Sequence, residues 1–171
     1  MKAISLIFFC ASAISATAFA GTPGEVPIGG YLREATLQEF SGNTKKLSGY
    51  HGKPLVINGW ASWCAPCRAE MGSLERLYRR YGGKQLNVIG ISTDDDRSAA
   101  EALIKKSKIT FVNYLDSKVF LENMLGANMI PLTILVDADG RVVEKVHGAH
   151  EWDSPKLIEA LGNTFHIKLP R

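Results

Sequence analysis

The sequence predicts an α/β domain in which a central mixed β-sheet is flanked by helices. Two nearly continuous apolar runs, Leu55–Trp60 and Leu86–Ile91, alternate with segments of helical periodicity, the pattern of strands buried on both faces. Near the end, Leu132–Val136 and Arg141–Val146 flank the turn Asp137-Ala138-Asp139-Gly140, which folds them into an antiparallel hairpin. The chain has 171 residues, of which 46% are hydrophobic and 22% charged, enough for one core and too apolar for disorder.

Taken in order, the first twenty residues stand apart. Lys2 precedes an apolar stretch from Ala3 to Phe19, and Ala18-Phe19-Ala20 offers small residues for cleavage before Gly21. That is the layout of a secretory signal peptide, residues 1–20; uncleaved, it would serve as a membrane anchor. Bulky Phe8-Phe9 before Cys10 argue against lipidation. Export places the remaining two cysteines, Cys64 and Cys67, in an oxidising compartment, the periplasm of a bacterium. Residues 21–30 read as a flexible lead-in to a domain spanning 31–171.

Within that domain, Glu34–Leu47 resembles a hairpin turning at Ser41-Gly42-Asn43. A helix opens after Cys64, with Pro66 near its start, and stops at Gly82-Gly83. Asp94-Asp95-Asp96 are expected to cap a second helix, with Ala99, Ala100, Leu103 and Ile104 on its apolar face. Phe111–Leu115 forms a short strand and Ser117–Leu125 a short helix. Ser154-Pro155 start a last helix facing inward through Leu157, Ile158 and Leu161, and Trp152 before it reads as core.

Chemistry concentrates in Trp63-Cys64-Ala65-Pro66-Cys67, which joins a buried strand to a helix. Free backbone N–H groups and the dipole at the helix start favour a thiolate there. Two intervening residues bring Cys67 near enough to close a ring with Cys64. Cys64 is expected at the exposed tip as nucleophile, with Cys67 recessed to resolve the mixed disulfide. A metal site would need further ligands, for which only His147 and His150 offer themselves, and a plain structural disulfide would stabilise little over so small a loop. No metal and no cofactor beyond the redox-active Cys64–Cys67 disulfide is expected.

Glu70 lies in the stripe of Met71, Leu74, Leu77, Tyr78 and Tyr81, one turn beyond Cys67, whereas Arg68, Glu75, Arg79 and Arg80 can point outward. A carboxylate so placed is desolvated, its pKa raised, and suits it to exchange the Cys67 proton. Ile130-Pro131 before the strand 132–136 reads either as a strand-entry proline or as a cis peptide packed on the disulfide, exposing Ile130 to a substrate chain. The net charge of +3 comes with no Lys/Arg run longer than two, which excludes a nucleic-acid surface.

The string Asn58-Gly59-Trp60-Ala61-Ser62-Trp63-Cys64-Ala65-Pro66-Cys67-Arg68-Ala69-Glu70-Met71 resembles the active-site segment of the TlpA/ResA/CcmG family of exported thiol–disulfide oxidoreductases. The likeness extends to Gly52-Lys53-Pro54, Ile130-Pro131 and Asp137-Ala138-Asp139-Gly140. It implies a thioredoxin-like fold with an N-terminal β-hairpin extension, and Cys64 and Cys67 as the redox pair. It also implies Glu70 as the active-site acid and a cis bond at Pro131. Trp63, Ala65, Pro66 and Ile130 would line the substrate site. Ordinary thioredoxins keep a buried Asp where this chain has Asn58, and many relatives carry an aromatic at Gly59. The implied function is reduction of partner-protein disulfides, such as those of apocytochrome c or copper-site assembly proteins, by a monomer that a membrane electron donor re-reduces. The alternatives are an oxidase or isomerase using the same cysteines, and a copper-binding or delivery module. Strong oxidases of this fold carry a helical insertion for which Ser92–Ile130 is too short, and copper modules of this fold space their cysteines by three.

Overall fold

Aliphatic and β-branched side chains, interrupted by Asn58 and Gly59 before Trp60, make Leu55–Trp60 (β3) the central strand of the molecule, buried along its whole length. The computed structural model describes residues 24–116 and 120–170; the segment read as a signal peptide and the expected first turn 117–119 of a helix lie outside the described residues. A hairpin of Thr36–Gln38 (β1) and Thr44–Lys46 (β2) comes first. After β3 follow Ala65–Tyr81 (α1), Asn87–Ser92 (β4), Arg97–Lys106 (α2), Val112–Leu115 (β5) and Phe120–Leu125 (α3). Leu132–Val136 (β6), Val142–His147 (β7) and Pro155–Phe165 (α4) complete the chain. The main sheet has the order β5-β4-β3-β6-β7, with β3, β4 and β5 parallel and β6 and β7 antiparallel to their neighbours. This is a thioredoxin-like fold with the hairpin appended as a separate two-stranded sheet.

Period-two alternation divides the core. Val56, Trp60, Val88 and Leu135 pack with Met71, Leu74 and Leu77 of α1 and Ile158 and Leu161 of α4. Leu55, Ile57, Ile89 and Ile91 point the other way, onto Leu37 of the hairpin and Met124 and Leu125 of α3. Asn58 falls on the α1 face by the same alternation and stands directly opposite Thr133 in the β3–β6 register. The closing hairpin turns at Asp137, whose carboxylate accepts from the amides of Asp139 and Arg141 at 3.0 and 2.9 Å. Gly140 supplies the positive φ of 90° that the turn needs.

Two expectations are corrected. The stretch from Gly24 to Gly30 is not a loose lead-in: Val26 is buried, its amide bonds to Met124 O, and Gly29 and Gly30 exchange backbone hydrogen bonds with Val142. Glu25 pairs with Lys145 of β7, so the segment is strapped across the edge of the sheet. Glu75 does not face solvent either. It accepts from the Thr110 amide at 2.7 Å and hydroxyl at 2.5 Å and from Arg79 at 2.6 Å, anchoring the loop before β5. Burial raises its pKa, but the Thr110 and Arg79 donors outweigh burial and hold the carboxyl below its ordinary value.

Gly90 shows why a glycine sits in the middle of β4. Trp60 Nε1 donates to Asn113 Oδ1 at 2.9 Å directly over it, and a Cβ at Gly90 would stand 1.9 Å from that oxygen and 2.8 Å from the indole nitrogen. Gly90→Ala should therefore lower the unfolding free energy by about 3 kcal/mol. Urea titration checks this, and an unchanged midpoint would show that the Trp60–Asn113 pair yields freely.

Candidate active site

The strand-to-helix turn is held by a carboxylate. Trp60 and Ser92 are paired at the ends of β3 and β4, so Asp94, two residues on, reaches across to the loop before Cys64. Its oxygens accept from the Ser62 amide at 2.8 and 3.1 Å, the Ser62 hydroxyl at 2.6 Å and the Ser92 hydroxyl at 2.8 Å. Of the three aspartates expected to cap α2, only Asp96 does so, through Ser98 N at 2.9 Å; Asp94 is buried in this brace. Arg68 completes it by donating to Ser62 O at 2.9 Å.

Cys64 is the N-cap of α1 and is disulfide-bonded to Cys67, with Cα atoms 5.3 Å apart. Its sulfur accepts from the Cys67 amide at 3.2 Å, the bond that would stabilise a thiolate after reduction. Cys67 is fully buried and Cys64 is 5% exposed. The nucleophile position is therefore more covered in the disulfide form than the tip expected from helical geometry, because the Ile130 carbonyl lies 3.8 Å from Sγ. A disulfide sulfur has no proton to give, so that approach becomes a hydrogen bond only in the dithiol. The Ile130–Pro131 peptide is cis. Around it Trp63 and Met129 are 68% and 67% exposed, Ala65 and Pro66 are exposed, and Ile130 is half-buried.

Beneath the cysteines, Glu70 is buried with its carboxylate bound by three N–H donors. Asn58 Nδ2 donates to Oε1 at 2.8 Å; the His150 amide and Trp152 Nε1 donate to Oε2 at 3.0 and 2.9 Å. Burial pushes its pKa above the ordinary value, opposed by the donors from Trp152, His150 and Asn58. Ser73, one turn further on, donates to Glu70 O and His150 O and accepts from the Trp152 amide, stitching the loop after β7 to α1. Asp94, Ser73, Thr133 and the His150 amide escaped the sequence reading. Ser73 alone had a signal, since it shares the inward stripe of Glu70. His150 enters through its backbone rather than as a ligand, and among the described residues no group of His, Cys, Asp or Glu is placed to hold a metal ion.

A disulfide at the first turn of a helix, set against a cis proline in a thioredoxin-like sheet, defines a thiol–disulfide oxidoreductase. The comparisons agree. Residues 28–145 match the model of the AhpC/TSA family, and the chain belongs to that family; its ResA and DsbE relatives are consistent with the TlpA/ResA/CcmG-like resemblance. It is 27% identical over 150 residues to the thiol-disulfide oxidoreductase ResA of Bacillus cereus, covering 86% of each chain. Among solved structures, a Chlorobium tepidum protein assigned as thiol:disulfide interchange protein DsbE shares the fold with a TM-score of 0.74 at 23% identity, over 82% of this chain and 99% of that one. A secreted Mycobacterium tuberculosis disulfide oxidoreductase homologous to E. coli DsbE aligns with a TM-score of 0.65 at 25% identity, over 76% and 93%.

The raised pKa of Glu70 carries a stability consequence. A carboxyl that holds its proton more tightly folded than unfolded contributes most at pH values below its unfolded pKa, and that contribution is lost as pH rises through the folded pKa. Gln at this position loses nothing over the same window. The stability of Glu70→Gln relative to the parent should therefore increase from about pH 4.5 upward and level off above the folded pKa. Denaturant titrations across that range read it, and a difference that stays flat with pH would contradict the raised pKa.

Proposed function

We propose that the protein is an exported reductase that passes two electrons from a membrane donor to disulfides of partner proteins, with apocytochrome c or copper-site assembly proteins as the partner class. The observation that carries the direction is the neutral Ala65-Pro66 pair inside the disulfide ring. It gives a Cys64 thiolate no charge beyond the helix terminus, while the Asp94 carboxylate and the Arg68 guanidinium braced on Ser62 act in opposite senses. A thiolate stabilised so modestly belongs to a reducing couple. Export rests on the segment 1–20, and no described helix is long and apolar enough to cross a membrane.

In this reading the Cys64 thiolate attacks one sulfur of the partner's disulfide, and the other leaves as a thiolate that takes up a proton. The partner chain lies on Trp63 and pairs with the Ile130 backbone beside cis Pro131. Cys67 then gives its proton to Glu70, and its thiolate attacks Cys64 Sγ. The partner's second sulfur leaves, and the chain is left as the Cys64–Cys67 disulfide for the donor to reduce.

Equilibration with dithiothreitol or glutathione should give a potential nearer about −270 mV than about −120 mV; a value above roughly −160 mV would favour the oxidase reading. Cys67→Ser should trap partners as mixed disulfides on Cys64, and recovery of none would count against a protein substrate. Glu70→Gln should slow exchange about 10- to 100-fold at neutral pH. Superimposable pH–rate profiles of parent and variant would make Glu70 a bystander.

A further inference from the structure

The side chain of Asn58 is completely buried, yet its Oδ1 has no hydrogen-bond partner among the described residues. A buried acceptor without a partner is costly, so its presence beside an ionisable group calls for a reason. Asn58 Nδ2 carries both bonds instead, to Glu70 Oε1 at 2.8 Å and to Thr133 Oγ1 at 3.0 Å. That setting suits an ionised Glu70, which offers only acceptors. With two N–H donors already on Oε2, a proton arriving at Glu70 goes to Oε1, where the new O–H needs an acceptor. Rotating the Asn58 amide by half a turn provides one, with Nδ2 moving into the partnerless place that Oδ1 leaves. Oδ1 then accepts from Glu70 and also from the Thr133 hydroxyl, which can give or take a hydrogen bond.

We propose that Asn58 is a positioning residue whose amide turns over with the proton on Glu70, and that through Thr133 it couples the acid to the strand leaving cis Pro131. The proposal rests on Glu70 exchanging a proton during the reaction. The proton balance is simple: Cys67 S–H yields its proton to Oε1, the resulting O–H donates to Oδ1, and the Thr133 hydroxyl changes from acceptor to donor. Thr133 is the cross-strand neighbour of Asn58 and lies two residues beyond Pro131, so the segment that would receive the substrate chain senses the state of the acid. From the neighbouring loop His150 favours ionisation of Glu70, and Glu151 lines the same cleft. Asn58 on β3 and Thr133 on β6 add no charge, and the disulfide adds none in this form.

The test is side-chain NMR of the oxidised protein, run in parallel on His150→Gln so that the contribution of the imidazole is separated. The Asn58 amide resonances should shift with the same midpoint as the Glu70 carboxyl carbon. In Glu70→Gln the variant amide needs the same acceptor, so the Asn58 resonances should sit at the acid-limit position of the parent at every pH. Asn58→Ala removes a partner from both states of Glu70, so the midpoint of the exchange pH profile should move by less than about half a unit. An upward move of about one unit, with exchange about tenfold slower on the acid limb, would show a fixed amide that serves the carboxylate alone and overturn the turnover. Should that variant not fold, the parent and Glu70→Gln spectra decide alone. A Glu70 carboxyl that titrates while Asn58 stays fixed overturns the turnover and leaves Glu70 as the acid. A carboxyl that does not titrate between about pH 4 and 9 overturns both.

Discussion

Burying one carboxylate organises this molecule. Glu70 sits inside the core on α1, and an unpaired charge there would cost several kcal/mol. The cost is met by N–H donors from two separate parts of the chain: Asn58 on the central strand, and the His150 amide and Trp152 indole in the loop before α4. That loop has no apolar run of its own to hold it down. It follows the path it does because Glu70 and Ser73 offer it acceptors and a donor, and because Arg76 clasps Asp153 at 2.6 Å. Trp152 is thus core and site at once: its ring joins the α1–α4 cluster while its N–H serves the acid.

The same economy governs the upper edge of the sheet. β3 runs parallel to β4 and antiparallel to β6, so the end of β3 and the start of β6 meet at one edge. Cys64 follows the first and cis Pro131 precedes the second, which brings a nucleophile position and an extended backbone together without any dedicated element. Asp94 makes the loop rigid by taking the Ser62 amide and hydroxyl, groups that a turn of this kind would otherwise leave to water. Rigidity matters here because the thiolate that would form on Cys64 depends on one amide, that of Cys67, being correctly aimed.

Local signals made the strands, the helices and the C-x-x-C helix start legible, because apolar periodicity and caps are properties of neighbouring residues. Glu70 was legible for the same reason, as a charge out of place in an apolar stripe. What escaped depended on register and on loops. Asp94 looked like one more cap in an Asp-rich run, and only the Trp60–Ser92 pairing shows that it reaches Ser62. Glu75 looked exposed because its partner, Thr110, is remote in sequence. The Gly24–Gly30 segment carries Pro and Gly and no periodicity, and nothing local announces that Val26 fills a gap against α3.

Placing the acid on the helix rather than on the strand has a further mechanical consequence. A carboxyl in place of Asn58 would be sealed on the central strand, at a position with no exposed surface. From α1, Glu70 instead borders a shallow cleft of about 120 Å³ lined by Ala69, Ala149, His150 and Glu151, on the side of the loop before α4. Ala149 and Glu151 flank the residue whose amide binds Oε2, so the loop that holds the carboxylate also forms a wall of the cleft. Asn58, buried on the facing strand and bonded to Oε1, binds the carboxylate without adding a charge that would have to be solvated in the core.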